Sequence, residues 1–288
     1  MTAAPLARNW KRLLRQPVQP EAEERVIFLT DFLSRIIQTT RQEIATRRLE
    51  WPLEELRESV LTSAPSGRSL VAAVRSPGMS VIAEIKRASP SKGDIRPHLD
   101  VAAVARAYKE AGAGALSVLT EERHFRGSLD DLRQARAATS LPVLRKDFII
   151  DPYQAWEAAA AGADAILLIV AALTPQSLRQ LSGEASLAGL ECLVEVHDRR
   201  ELDLALSVSV PIIGINNRNL KTFAVNLETT LNLIEFVPKE VAIVSESGVN
   251  SRADVVKLND EGVAAVLVGE ALMSSDDPGG RLHDLLGR

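Results

Sequence analysis

The chain predicts an α/β fold: eight parallel strands alternating with helices and closed into a barrel, with an additional helical segment at the N-terminal side. Three observations carry this expectation. From Val81 onward, eight short Val/Ile/Leu/Ala runs alternate with longer amphipathic stretches, the pattern of parallel strands joined by crossover helices. A phrase also recurs three times, as "AGAGALSVL" from Ala111, "AGADAILLI" from Ala161 and "EGVAAVLVG" from Glu261. Each copy puts a glycine where a helix ends in a left-handed cap and a buried strand begins. The copies start 50 and then 100 residues apart, so a strand-helix unit takes about 25 residues and the roughly 200 residues after Val81 hold eight units. That is the (β/α)8 or TIM-barrel arrangement. An open doubly wound sheet is the competitor, and the regular period and the lack of a GxGxxG turn after the first strand count against it.

Residues 1–25 mix proline with Arg8, Lys11, Arg12 and Arg15, then Glu21, Glu23 and Glu24, and read as a mobile extension. Residues 26–80 are expected to be a helical segment packed on the barrel. In "FLTDFLSRIIQTTRQEIATRRL", Phe28, Phe32, Leu33, Ile36, Ile37 and Ile44 share one side of a long helix. A second short helix, "PLEELRESVL", follows, and "TSAPSGRS" is a polar link. The barrel takes 81–288, with strands expected at 81–85, 115–120, 142–146, 165–170, 190–196, 211–216, 241–246 and 264–269. Segments between them, such as "DVAAVARAYKEAG" and "SLDDLRQARAA", space apolar residues helically and carry acidic residues near their starts, suited to the positive end of a helix.

Of the 288 residues, 46% are hydrophobic and 25% charged, as in a soluble globular protein. A net charge of −4 argues against a nucleic-acid partner, which would call for a basic excess or stripe. No window approaches eighteen uncharged apolar residues and no apolar signal-peptide region opens the chain, so no membrane partner is expected. Cys192, the single cysteine, lies in the apolar "LECLVEV" and reads as a core residue in a reducing compartment. A cytoplasmic location is the expectation.

In a barrel of this kind the reacting groups come from the C-terminal ends of the strands, so charges inside apolar runs mark the site. They are Glu84 and Lys86 on the first strand, Lys146 on the third, Glu195 on the fifth, Asn216 and Arg218 at the sixth, and Glu246 with Ser247 at the seventh. Glu84 and Lys86 are two apart, so both point away from Ile85, and Glu195 likewise points opposite Val194 and Val196. Glu84 could simply pair with Lys86, and Lys146 with Glu195, as buried ion pairs. Four strands each ending in a charge favour a site, because a fold gains little from such pairs and loses heavily from an unpaired buried charge.

"SESGVNS" and "VGEALM", after the seventh and eighth strands, place Gly248 and Gly269 at strand-to-helix turns whose free backbone N–H groups can cradle a phosphate. Ser247 adds a hydroxyl. "SPSKG" after the first strand offers Ser89, Ser91 and Lys92 on a loop expected to close as a lid. His98, His124, His197 and His283 lack ligand spacing, so no metal is expected. His197 reads as a surface cap at the start of "HDRREL". There is no nucleophile elbow for Ser-His-Asp chemistry.

From Val81 to Met273 the chain resembles the indole-3-glycerol phosphate synthase family. The matches are "VIAEIKRASPSKGDI", "LSVLTEERHFRGSLDDL", "LPVLRKDFIIDPYQ", "GADAILLIV", "ECLVEVHD", "IGINNRNL" and "VSESGV" followed by "VLVGEALM". The resemblance implies a cofactor-free enzyme of tryptophan biosynthesis. It closes the pyrrole ring of 1-(2-carboxyphenylamino)-1-deoxyribulose 5-phosphate with loss of CO2 and water. It implies Lys146 as the general acid at the ribulose carbonyl and Glu195 as the base or acid of the dehydration. Lys86 would hold the substrate carboxylate and serve as a second acid, with Glu84 orienting the lysines. Asn216 and Arg218 match positions on the carboxylate and hydroxyl side, and Ser89, Glu246 and Ser247 match further binding positions. Gly248, Gly269 and Glu270 fall at the phosphate turns.

A lysine with its pKa lowered by a neighbouring lysine and by desolvation would suit the acid role. Phe125 and Phe148 are candidates to flank the anthranilate ring, or are core residues. Glu270 departs from relatives that place serine there, so its carboxylate has to point away and backbone N–H groups have to carry the phosphate contact. Two other readings remain: a barrel that binds a phosphorylated metabolite without catalysis, and a barrel enzyme such as phosphoribosylanthranilate isomerase, which needs a Cys/Asp pair. A monomer is expected, with other tryptophan-pathway enzymes as the protein partners to look for.

Overall fold

The computed structural model describes residues 31–63, 66–208, 210–220 and 222–288. The extension expected over 1–25, and Phe28, lie outside the described residues. The strands are β1 (Ser80–Ile85), β2 (Ala88–Ser89), β3 (Gly93–Asp94), β4 (Ala115–Leu119), β5 (Val143–Lys146), β6 (Ala165–Ile169), β7 (Glu191–Val196), β8 (Ile212–Asn216), β9 (Ala242–Glu246) and β10 (Ala265–Val268). β1 and β4 to β10 pair in parallel and in chain order, and β10 returns to β1, closing an eight-stranded barrel. All eight expected runs become barrel strands, each within one residue at either end. β2 and β3 form a small antiparallel hairpin where a lid loop was expected.

The N-terminal helices are α1 (Asp31–Glu50), α2 (Leu53–Leu61) and α3 (Leu70–Val74). The outer ring follows as α4 (Val101–Glu110), α5 (Leu129–Ala138), α6 (Pro152–Ala160), α7 (Pro175–Leu187), α8 (Arg199–Leu206), α9 (Glu228–Ile234), α10 (Arg252–Asp260), α11 (Glu270–Met273) and α12 (Pro278–Leu286). Seven of these helices start on a side chain that the sequence places for the purpose: Asp100, Ser128, Asp151, Thr174, Asp198, Ser251 and Asp277 each accept a backbone N–H of the first turn. The three repeats end helices as expected, with Gly112, Gly162 and Gly262 at φ of 91°, 88° and 88°.

α3 has no counterpart in the sequence expectation and follows directly on the polar link. Five residues are too few to show a period, yet Leu70 and Val74 are fully buried against Ile82, Leu144, Leu193, Ile212 and Val244 inside the barrel. Glu191 fixes the helix there, accepting hydrogen bonds from Ser69 Oγ at 2.7 Å and the Val71 N–H at 2.8 Å. α3 therefore seals the N-terminal end.

α1 and α2 lie against the α6 side of the barrel through their apolar stripe, with Leu33, Ile36, Ile37, Ile44 and Leu56 buried. An ion-pair network continues the contact inward. Arg47 Nε is 2.9 Å from Glu157, whose other carboxylate oxygen is 2.9 Å from Arg145 on the outward face of β5. Arg145 is 1% exposed and also binds Asp147 at 2.9 Å and the Gln154 carbonyl at 3.0 Å. Asp147 accepts from Thr120 Oγ1 at 2.6 Å and from the Phe148 N–H at 2.8 Å, which fixes the backbone on both sides of Lys146. Truncating one partner strands the others in a dry setting, so Arg145→Met is expected to cost about 3 kcal/mol or more, read as a lower urea midpoint.

Candidate active site

Along four of the barrel strands the inward side chain changes from apolar to charged toward the C-terminal end, whereas β6 and β10 stay apolar with Ile169 and Leu267 at the cleft. Ile82 precedes Glu84, Leu144 precedes Lys146, Leu193 precedes Glu195, and Val244 precedes Glu246. The upper groups meet in one cleft of about 250 Å³, lined also by Lys86, Ser89, Phe125, Phe148, Asn216, Arg218, Ser247, Gly248, Gly269 and Glu270. Of the residues expected at the site, all but Lys92 line this cleft. Glu84 and Lys86 face inward, toward Lys146 and Glu195. The ion pairs Lys86 to Glu84 at 2.7 Å and Lys146 to Glu195 at 2.9 Å are both formed, and both border the cleft.

Lys146 Nζ also lies 3.3 Å from Glu246. Burial disfavours its charge, but Glu195, Glu246 and Glu84 outweigh burial and hold its pKa above the ordinary lysine value. The expected lowering by a neighbouring lysine does not occur, because carboxylates dominate around the ammonium. Burial pushes Glu195 up, but Lys146 and His197 overcome it and hold the carboxyl below the usual range. Glu246 goes the other way: burial, opposed by Lys146 and reinforced by the Glu195 charge, raises it to about 8. At neutral pH the cluster thus holds an ammonium, an ionised carboxylate and a protonated one.

Two glycines make room for these carboxylates. A Cβ on Gly214 would collide with the Glu246 carboxylate, and one on Gly269 with that of Glu84. At the expected phosphate turn, Ser247 and Gly248 are both left-handed, at φ of 64° and 88°. Asn217 braces this turn from inside, donating to the Glu246 and Ser247 carbonyls at 3.0 Å each. Glu270 is drawn to Arg218 and Lys92, 3.4 Å from each. Ser89 is buried in the hairpin, its Oγ 3.4 Å from Ser91 Oγ. Phe125 reaches the cleft because Glu121 accepts the backbone N–H groups of His124 and Phe125, at 2.7 and 3.0 Å.

Some site residues were not legible as such. Phe32 and Leu33 of α1 were assigned only to packing, yet both line the cleft, and Phe32 stacks edge-on against Phe223 at 5.6 Å. His197 is corrected: it is not a surface cap. Asp198 caps α8, and the His197 side chain is 12% exposed, with Nε2 3.3 Å from Glu195. Cys192 points away from the cleft into the layer between barrel and helices, and burial raises its thiol to about 12, so it lacks the position a Cys/Asp isomerase needs. Among the described residues no three His, Cys, Asp or Glu side chains gather as metal ligands, and no helix is long and apolar enough to cross a membrane.

A closed parallel barrel with a lysine-carboxylate cluster at the C-terminal mouth defines a (β/α)8 barrel with a charged cleft at the end where that fold usually carries its chemistry. Solved structures with this architecture include thiamine phosphate pyrophosphorylase from Pyrococcus furiosus, with a TM-score of 0.56 and 18% identity over 76% of this chain and 96% of that one. Another is 3-hexulose-6-phosphate synthase from Salmonella typhimurium, with a TM-score of 0.58 and 13% identity over 72% of this chain and 96% of that one. At such identities the likeness is one of fold. Residues 33–285 match the sequence model of indole-3-glycerol phosphate synthase. The indole-3-glycerol phosphate synthase of Burkholderia vietnamiensis is 49% identical over 258 residues, which cover 88% of this chain and 98% of that one. The chain belongs to the indole-3-glycerol phosphate synthase family.

The pKa directions set a pH dependence of stability. Glu246 binds its proton more tightly folded than unfolded, so its contribution is complete below its ordinary 4.5 and is lost as pH rises to about 8. Glu195, shifted down, acts below 4.5, and His197, raised to about 10 by Glu195 and Glu201 against burial, acts above 6.5. Between about pH 5 and 6.5 only Glu246 of the three titrates differently in the two states. Stability is expected to fall over that interval, and Glu246→Gln to flatten the fall, as urea midpoints at several pH values will read.

Proposed function

We propose that this chain closes the pyrrole ring of 1-(2-carboxyphenylamino)-1-deoxyribulose 5-phosphate, releasing CO2 and water and forming indole-3-glycerol phosphate. The observation that supports this best is the Lys146 ammonium between two carboxylates of opposite protonation, 2.9 and 3.3 Å away, at the bottom of an aromatic-walled cleft. Ring closure needs a proton at the ribulose carbonyl oxygen as the aromatic carbon attacks. Lys146 supplies it. Its tightly held proton is released only to a strongly basic centre such as the forming alkoxide, so the donor does not discharge to solvent beforehand.

Glu195, kept ionised, takes the ring proton during dehydration. Lys86 grips the substrate carboxylate and is a second acid, and Glu84 orients it. Holding that carboxylate with one shared cation places it without over-stabilising it, which decarboxylation requires. Asn216 and Arg218 meet the carboxylate side and the hydroxyls, and Glu246 with its proton faces the same region. Phe125 and Phe148 flank the anthranilate ring. The phosphate rests on Ser247, Gly248 and Gly269, beside Ser89, with Glu270 turned to Arg218 and Lys92. The reading asks for no cofactor. It fits a cytoplasmic monomer working beside other tryptophan-pathway enzymes, and the buried, unpaired Cys192 suits a reducing setting.

The purified protein is expected to produce indole fluorescence from this substrate without added metal. Tight binding with no product would favour a metabolite-binding barrel instead. Lys146→Ala is expected to lose at least about a hundredfold in kcat with KM nearly unchanged, while matching losses in both would make Lys146 a binding group.

A further inference from the structure

Glu195 touches one more titratable side chain than this chemistry uses. Its Oε2 faces Lys146, and its Oε1 faces His197 Nε2 at 3.3 Å. On the far side of the imidazole, His197 Nδ1 is 3.0 Å from Glu201 Oε2 on α8. The same carboxylate oxygen accepts the His197 backbone N–H at 2.8 Å, which fixes it against the ring. The Nε2 atom is buried and makes no hydrogen bond. At 3.3 Å it faces Glu195 Oε1 outside hydrogen-bond geometry, so a transfer between them requires the ring to turn. Exposure grades outward along this row, from 2% for the Glu195 side chain to 12% for His197 and 18% for Glu201.

The stoichiometry of the reaction gives such a row a purpose. Forming the carbon-carbon bond turns the carbonyl into a hydroxyl and takes one proton from the site. Breaking the bond to the carboxylate releases CO2 and takes none. Expelling the hydroxyl as water takes a second proton, and loss of the adjacent ring proton returns one. The substrate carboxylate plus one proton therefore gives indole-3-glycerol phosphate, CO2 and water. The ring proton collected by Glu195 replaces only one of the two protons the lysines give, so each turnover leaves the lysine-carboxylate cluster one proton short while the substrate covers its cleft side.

We propose that Glu201 and His197 are the path by which the site regains that proton, passing it through Glu195 to Lys146. His197 takes a proton at Nδ1 from the Glu201 side and gives one up from Nε2 to Glu195 Oε1. Both act through Glu195 and are positioning residues. The inference rests on the function proposed above.

The test compares the wild-type enzyme with His197→Asn, His197→Ala and Glu201→Gln. Replacing His197 is expected to lower kcat by about tenfold or more, to leave KM within about twofold, and to enlarge the solvent deuterium effect on kcat. Free imidazole is expected to restore much of the His197→Ala loss, which a packing defect would not allow. Glu201→Gln, which keeps an acceptor for the backbone N–H, gives a smaller loss of the same kind and carries the test if the His197 variants fail to fold. Variants with wild-type kcat, or losses shared equally by KM and unmoved by imidazole, overturn the path alone. A wild-type protein without turnover overturns the function and the path together.

Discussion

The ammonium of Lys146 is the charge around which the barrel interior is arranged. A buried cation needs compensation, and Glu195, Glu246 and Glu84 provide it from three other strands. Three carboxylates at one level of a narrow barrel need space. Gly214 and Gly269 provide it, since a side chain at either would occupy the place of Glu246 or Glu84. Below this level the interior is closed by Ile82, Leu144, Leu193, Ile212 and Val244, so the polar layer has a dry floor. Burial, reinforced by the Glu195 charge, then makes Glu246 the carboxyl that keeps its proton, and its Oε1 has no hydrogen-bond partner among the described residues. An ammonium, an ionised carboxylate and a protonated one thus follow from one geometric requirement.

The precision of that layer is set outside the barrel. Lys146 stands between two outward-facing residues, Arg145 and Asp147, which bind each other and Thr120. A lysine flanked by two locked neighbours has little backbone freedom, so its long side chain starts from a fixed point. Glu157 and Arg47 extend the lock to α1, the helix that also sends Phe32 and Leu33 into the cleft. The N-terminal segment therefore acts on the site twice, by lining it and by bracing the strand that carries its lysine.

Much of this was legible in the chain. Strands, capped helices and the inward charges follow from alternation, short-range spacing and the glycines of a repeated phrase, all of which are local properties. What escaped depends on neighbours far apart in sequence. α3 is too short to show a period and exists because the barrel end and Glu191 hold it. His197 reads as a helix-start polar residue until β7 and α8 place it against Glu195 and Glu201. Phe32 looks like packing until its helix is seen over the mouth. The direction of the Lys146 shift needed a count of the carboxylates around it, and strand alternation identifies inward residues without giving their separations.

The seal made by α3 has a further consequence for traffic. With Leu70 and Val74 filling the far end and apolar side chains packing the middle of the barrel, the described residues close the cleft from below. The family's reaction turns one substrate into indole-3-glycerol phosphate, CO2 and water, so the C-terminal mouth has to serve one arrival and three departures.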